Sequence, residues 1–282
     1  MPTRPPRALF EALIDDAAVF PPGLAPLSRA IADHLARRAY RRYVGPLLVP
    51  ASAAADVLQL ADGAALRVAL IARPGMPVGP VRDGVALLAE SGAGTLIEVA
   101  GVEVGAAADW QSLLDLHVPV TVEIPRDGFV GALDAVAEAV RTTARNPLVQ
   151  AKFRTGATEV WGWPDEDELA RFLLACAERD MPFKLTGGLH HAVRGDHPGP
   201  DGGPQHGLLN VLGALRLALH GAPARAVTEV LALRDAAALA GSVAGLSTAE
   251  VGRLRWAFTA YGCCDVLDPL RELAALHLID EE

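Results

Sequence analysis

The chain has 282 residues, of which 51% are hydrophobic and 21% charged, with a net charge of −9. This composition provides for a large folded core and excludes a disordered chain. The acidic balance disfavours nucleic acid and anionic membrane surfaces as main partners. Three cysteines without a CxxC pair, an amino terminus without a signal-peptide core and no long apolar run predict a cytoplasmic protein without a membrane span.

Predicted helices and strands alternate along the chain. An apolar stretch of helical character covers residues 8–20, and together with a helix predicted over 27–42 it makes 1–42 an amino-terminal helical segment. Eight short apolar segments then predict strands, at residues 43–49, 66–71, 95–100, 119–124, 148–153, 182–186, 207–211 and 258–261. Helices are predicted at 53–61, 79–91, 106–116, 129–145 and 165–179, and a mostly helical part covers 223–282.

This alternation with short loops is typical of a parallel sheet covered by helices. Eight strands favour an α/β fold of the (β/α)8 TIM-barrel type, with residues 1–282 in a single domain. An open, doubly wound parallel sheet is the alternative. Neither GxGxxG after an early strand nor GxxxxGK[ST] occurs, so dinucleotide and P-loop sites lack sequence support.

Lysine is rare in this chain, and its two copies occupy similar places. Of the 25 basic residues only Lys152 and Lys184 are lysines, and each follows an apolar segment and precedes a Thr-Gly turn. Arginine can replace lysine as a surface charge, but only an amine loses its proton in an apolar site or forms a Schiff base. We therefore expect both positions to need an amine, with a lowered pKa for Lys184. Chance survival of two strand-end lysines is the alternative.

The carboxyl ends of the predicted strands carry a mixed set of polar residues, and this is where barrels of this type place their chemistry. The predicted catalytic residues are Lys184, Lys152, His190, His191 and Glu123. The predicted substrate-binding residues are Arg154, Thr155, Thr186, Gly187, Gly188, Glu98 and Asn210. For Glu98 and Glu123 a structural ion pair at the barrel mouth is the alternative, because a buried carboxylate needs a partner.

Three chemistries fit these residues. In the first, Lys184 is the amine or base of a lyase, aldolase or isomerase that acts on a small anionic carbonyl metabolite, with Lys152 beside it. In the second, His190, His191 and His206 hold a divalent metal for a hydrolase or lyase, although their spacing matches no compact metal motif. In the third, the cations and glycine amides bind an anion without catalysis.

Three further segments bear on the site. Residues 192–206 form a Gly- and Pro-rich loop that we interpret as a lid, with a surface insertion as the alternative. Asp15 and Asp16 could add carboxylates, but a helix end beside a turn is the favoured interpretation. Cys263 and Cys264 are predicted to pack rather than react.

The apolar, Ala-rich carboxyl-terminal helices predict a homodimer.

Parts of the sequence resemble known families. The segments KFRTG at 152–156, FKLTGGLHH at 183–191 and HGLLN at 206–210 resemble those of a group of bacterial proteins without an assigned activity. More locally, a lysine that ends a late strand before Thr-Gly is similar to the Schiff-base lysine of class I aldolases of the deoxyribose-phosphate aldolase type. That resemblance implies a barrel fold and Schiff-base chemistry at Lys184. The sequence departs from the family in its Gly-Gly-Leu-His-His continuation.

Overall fold

The structure, a computed structural model, describes residues 4–90, 96–146, 148–159, 161–197 and 203–281. Several of the predictions extend outside this part of the chain, including the segment 1–42 at residues 1–3 and the helical part 223–282 at residue 282. The predicted helix 79–91 ends there, the predicted strand 95–100 begins there, and the central part of the predicted lid, residues 198–202, lies there.

Eight parallel strands close into a barrel, which confirms the (β/α)8 prediction over the open sheet. The barrel strands are β1 (Ile14–Asp16), β2 (Val44–Pro50), β3 (Leu66–Ile71), β4 (Ile97–Gly105), β5 (Val120–Glu123), β6 (Val149–Arg154), β7 (Phe183–Thr186) and β10 (Phe258–Cys263). Strand β10 pairs with both β7 and β1, so the last strand closes the ring against the first.

Helices surround this ring. Their bounds are α1 (Leu27–Ala36), α2 (Ala54–Ala61), α3 (Gly79–Glu90), α4 (Phe129–Thr142), α5 (Glu166–Glu178), α6 (Leu208–Leu219), α7 (Ala224–Ala232), α8 (Ala236–Ala244), α9 (Thr248–Ala257) and α10 (Leu267–Ala275). The predicted helix 106–116 is instead a 3-10 segment, Trp110–Leu116. None of the helices in the described ranges has the length and apolar character that a membrane crossing requires.

Two further predicted elements were wrong. The first barrel strand is β1, within the stretch that we expected to be helical, because its two aspartates hide the usual apolar signature of a strand. Conversely, residues 207–211 do not form a strand but begin helix α6. This helix is buried on most of its surface, and a helix that is apolar all round cannot be distinguished from a buried strand over five residues.

Side chains alternate between the barrel interior and the surrounding helices. On β6, Phe153 points outward and stacks on Phe172 of α5, with ring centroids 4.7 Å apart. Its neighbours Lys152 and Arg154 point inward, where both contact Glu123. The apolar core therefore lies between barrel and helices, while polar side chains occupy the interior of the barrel.

The predicted lid is in part a small hairpin. Strands β8 (Gly195–His197) and β9 (Gly203–Gln205) pair antiparallel. The hairpin is attached to the body by ion pairs from Asp196 to Arg234 and from Arg194 to Glu166, both with N···O distances below 3 Å.

Candidate functional site

A chain of alternating charges runs through the barrel interior. We call it the ionic network, and its members are Asp15, Glu103, Glu123, Lys152, Lys184 and Arg154. They come from β1, β4, β5, β6 and β7. Five strands thus contribute one or two ionisable side chains each to the same interior space, which barrels of this type ordinarily fill with branched apolar side chains.

Lys184 lies between two carboxylates from distant parts of the sequence. Its Nζ donates a hydrogen bond to Asp15 and another to Glu103, at 2.5 Å from Oε1. All three side chains are at least 93% buried. Burial of a charge costs several kcal/mol per ion, so this arrangement depends on the contacts between opposite charges.

Lys152 continues the network toward the carboxyl end of the barrel. Its Nζ lies 2.9 Å from Oε2 of Glu103 and 2.8 Å from Oε2 of Glu123. Arg154 Nε then contacts Oε1 of Glu123 at 3.2 Å. Arg154 is about one-third exposed, which makes it the member of the network that reaches solvent.

The pKa values of the network follow from this alternation. Burial by itself raises the pKa of Glu103, but the ammonium groups of Lys152 and Lys184 outweigh it and lower that pKa to about 2. Burial likewise lowers the pKa of Lys184, yet Asp15 and Glu103 reverse the effect and the net shift is upward. The pKa of Lys152 is also raised, because Glu103 and Glu123 outweigh its burial. The lowered pKa that we expected for Lys184 was therefore wrong.

Asp15 differs from the other two carboxylates of the network. Burial raises its pKa, and Lys184 only partly offsets that effect. For Glu123 the cations Lys152 and Arg154 prevail over burial, so its pKa is lowered. Asp15 is therefore the carboxylate of the network that takes up a proton most readily.

A cavity of about 240 Å³ lies on the amino side of the network. Asp15, Glu103 and Lys184 line its inner part, and Arg67 lies at the start of β3. Gln150 spans part of the wall, donating to Thr121 Oγ1 and accepting from Thr259 Oγ1. The ionic network is therefore bordered by a cavity on its amino side, in addition to its exposed end at the carboxyl ends of the strands.

The turns after β6 and β7 meet directly at the carboxyl mouth. Thr155 Oγ1 donates to the carbonyl oxygen of Thr186 at 3.2 Å. Gly187 has a φ of +71°, and a Cβ there would lie 2.7 Å from Arg154 Nη1. Gly188 packs against Thr155 with similar closeness. The predicted substrate-binding residues of these two turns therefore surround the exposed end of the network.

His190 lies at the rim of the barrel beside β10. Its Nδ1 is 3.6 Å from the Sγ of Cys263, and its Nε2 is 3.7 Å from the Sγ of Cys264. Cys263 also donates to the carbonyl oxygen of Asp265, and burial raises its pKa far above the ordinary value. This thiol is therefore held neutral, in agreement with the packing role predicted for it.

The other two histidines of the predicted metal set turn toward different partners. His191 Nδ1 contacts Glu272 of α10 at 2.7 Å. His206 contacts the carbonyl oxygen of Pro164 and the guanidinium of Arg194, and burial lowers its pKa to about 4. Among the described residues, no group of three or more His, Cys, Asp and Glu side chains is arranged to hold a metal ion. The arrangement therefore does not support the metal hypothesis.

Two predicted substrate-binding residues lie away from the network. Asn210 is fully buried in α6, where its amide group accepts from Arg194 N and donates to carbonyl oxygens at the end of α7, including that of Leu233 at 2.6 Å. Glu98 is the second residue of β4, at the amino end of the barrel, where its exposed side chain pairs with Arg67.

Sequence reasoning missed Glu103 and undervalued Asp15. The predicted strand 95–100 stopped before Gly101, whereas β4 continues through Val-Glu-Val to Gly105. That strict alternation was the available signal for Glu103. For Asp15 the only signal was a charged pair within an apolar stretch.

Fold and site together define the class of protein: an eight-stranded parallel (β/α) barrel with a buried ionic network in its interior. No family model matches the chain, and a search of curated proteins finds none that is similar to it.

Proposed function

We propose that this barrel is an enzyme of the lyase or isomerase class that acts on a small anionic carbonyl metabolite. The observation that carries the proposal is the ionic network, in which five side chains more than 90% buried and the part-exposed Arg154 alternate in charge. A barrel interior built for stability alone gains more from apolar packing, since replacing a buried ion pair by apolar residues is often neutral or stabilising. Clusters of ionisable groups with shifted pKa values are typical of catalytic sites.

The proposed roles follow from position. Arg154, with the turn at Gly187, anchors the anionic group of the substrate at the carboxyl mouth. Lys184 acts as the amine or the base, and Lys152 holds a second positive charge next to the developing oxyanion.

Because its pKa is raised, Lys184 rests as an ammonium and must first release a proton. Asp15 is the nearest acceptor, since the two side chains are hydrogen-bonded and the pKa of Asp15 is raised. The freed amine can then add to a carbonyl, forming an imine with loss of water, or remove a proton next to it. The resemblance to class I aldolases around Lys184 is in accord with the imine route.

Anion binding without catalysis is the second candidate, favoured by the exposure of Arg154 beside the Gly187 turn. Both candidates require a recessed anion site at the carboxyl mouth. They differ in whether the buried lysine reacts.

The test combines proton exchange with imine trapping. The protein is incubated in D2O with a panel of small aldehydes and 2-oxo acids, and loss of the α-proton signal is followed by NMR. A parallel sample is treated with borohydride and digested, and mass spectrometry locates any reduced adduct. We expect exchange catalysed by the protein for at least one carbonyl compound, and for the imine route an adduct on Lys184.

Two variants sharpen the result. Lys184→Arg keeps the positive charge but removes the amine, and we expect it to abolish exchange while the protein stays folded. Arg29→Gln changes an exposed ion pair on α1 and serves as the control with unchanged activity. If saturable binding of the carbonyl compounds occurs without exchange or adduct, the protein is an anion-binding protein and the enzymatic proposal is refuted.

A further inference from the structure

A second pocket lies outside the barrel wall, at the opposite end from the carboxyl mouth. It measures about 130 Å³ and lies between the end of α1 and the starts of β2 and β3. The side chains of His34, Arg37, Arg41 and Arg67 line it, so we call it the basic pocket. Gly45, in β2, contributes backbone to the same wall.

The charges in the basic pocket are only partly balanced. Asp16 is buried beneath it and contacts both His34 Nδ1 at 3.0 Å and Arg37 Nη2 at 3.3 Å. Arg67 pairs with Glu98 in an exposed contact that water screens. Among the described residues, two carboxylates therefore face three guanidinium groups and one imidazole.

The buried guanidinium group of Arg37 is a second indication of an anion site. Its side chain is 85% buried, and among the described residues its Nε has no hydrogen-bond partner. A buried donor without a partner costs about 1–3 kcal/mol, and a bound acceptor would remove that cost. Guanidinium groups also present their donors in a planar fork that matches the oxygens of carboxylates and phosphates.

We propose that the basic pocket binds the oxyanion group, phosphate or carboxylate, of a small metabolite. In a chain with a net charge of −9 such a concentration of cations is a local feature rather than a general property of the surface. The basic pocket is separate from the anion site proposed at the carboxyl mouth, because Arg154 at that mouth and the basic pocket lie at opposite ends of the barrel.

The pocket is nevertheless close to the ionic network. A Cβ at Gly45 would lie only 2.2 Å from Oδ1 of Asp15, so the backbone of one strand separates the pocket from that carboxylate. An anion bound in the pocket would therefore act at short range on the group that accepts a hydrogen bond from Lys184.

The experiment compares two neighbouring arginines. Arg41 lines the pocket, whereas Arg38 lies three residues away and is also exposed but does not line it. Binding of inorganic phosphate and of succinate is measured by isothermal titration calorimetry at low ionic strength, where surface electrostatics are least screened. Arg67→Gln is the second pocket variant, and Arg37 is left unchanged because it also holds Asp16.

We expect saturable binding of at least one of the two anions. Arg41→Gln and Arg67→Gln should each weaken it about tenfold, the effect of losing one charge-assisted hydrogen bond, while Arg38→Gln stays within about twofold. Preference for phosphate or for succinate then identifies the oxyanion. Absence of saturable binding by the unmodified protein would overturn the proposal. An equal loss in Arg38→Gln would do the same, since it would indicate only a diffuse positive field around the end of α1.

Discussion

Both lysines lie between two carboxylates, so the removal of one ammonium group leaves two buried carboxylates with less charge compensation. If Lys184 is lost, Asp15 and Glu103 remain buried at short distance without the cation between them. Loss of one partner of a buried ion pair typically destabilises a protein by about 3–5 kcal/mol. Exposed ion pairs contribute far less, because water and salt screen them.

We expect Lys184→Met to lower the free energy of unfolding by about 3–5 kcal/mol, measured by urea denaturation at neutral pH. Adding Asp15→Asn should restore part of that loss, because it removes one of the two stranded carboxylates. Asp33→Asn, in the exposed pair with Arg29, is the control and should cost less than about 1 kcal/mol. Additive effects of the two buried substitutions would contradict a direct coupling between Lys184 and Asp15.

The protonation of the lysines can be observed directly, since the chain has only two of them. With lysine labelled biosynthetically at 13Cε, NMR should show both side chains still charged above the ordinary pKa of about 10.4. The reason is that the flanking carboxylates outweigh burial for Lys152 and Lys184 alike. Titration of either lysine near neutral pH would contradict this arrangement.

At the scale of residues, the rarity of lysine in the sequence was the feature that best predicted members of the site. The scarcity of lysine directed attention to Lys152 and Lys184, and both are in the network, together with Glu123 and Arg154. Glu103 and Asp15 are ordinary acids in an acidic chain, and only the closed barrel brings them next to the lysines. Their role depends on contacts across up to 169 positions of sequence, which no local pattern contains.

At the scale of elements, the turns after β6 and β7 hold the exposed end of the network in place. A Cβ at Gly156 would lie 1.4 Å from the carbonyl oxygen of Gly187, far closer than any real contact. Gly187 in turn packs against the guanidinium of Arg154. The two turns can therefore approach each other only because position 156 has no side chain.

We expect Gly156→Ala to force the two turns apart, with a cost of about 1–3 kcal/mol in stability, typical of overpacking. It should also weaken ligand binding at the carboxyl mouth, because Arg154 moves with Gly187. Gly162→Ala is a matched control in the same loop, where nothing lies within 4 Å of the new Cβ. Thermal unfolding of both variants measures the effect, and equal Tm values would contradict the contact.

The elements themselves were predictable to different degrees. Apolar strands bounded by Gly or Pro, such as β3 and β5, match their predicted positions closely. The errors occurred where burial or charge obscures periodicity: α6 is apolar on nearly every side, and β1 has three residues of which two are acidic. The predicted number of eight barrel strands was nevertheless right, because one strand was missed and one was predicted falsely.

At the scale of the whole molecule, the ionic network makes the free energy of unfolding depend on pH. The pKa of Glu103 is about 2 in the folded protein against an ordinary 4.5, so between these values the unfolded chain binds a proton that the folded one does not. Stability is then lost as pH falls, by about 3 kcal/mol for this group. The lowered pKa of Glu123 acts in the same direction, whereas the raised pKa of Asp15 acts in the opposite one.

We therefore expect the free energy of unfolding to fall steeply between about pH 4.5 and pH 2, measured by urea denaturation at several pH values. Glu103→Gln should flatten that dependence, although it also lowers stability at neutral pH. A free energy of unfolding that is constant over this range would show that the carboxylate is not held ionised by the lysines.

The order of the charges along the chain has a consequence for synthesis. The acids of the network, Asp15, Glu103 and Glu123, precede position 150, and its bases, Lys152, Arg154 and Lys184, all follow it. The first five strands can therefore not close over their carboxylates while the nascent chain lacks its second part, because no internal cation neutralises them. The interior of the barrel therefore forms from two parts of the chain with opposite charge, and the part that carries the acids is synthesised first.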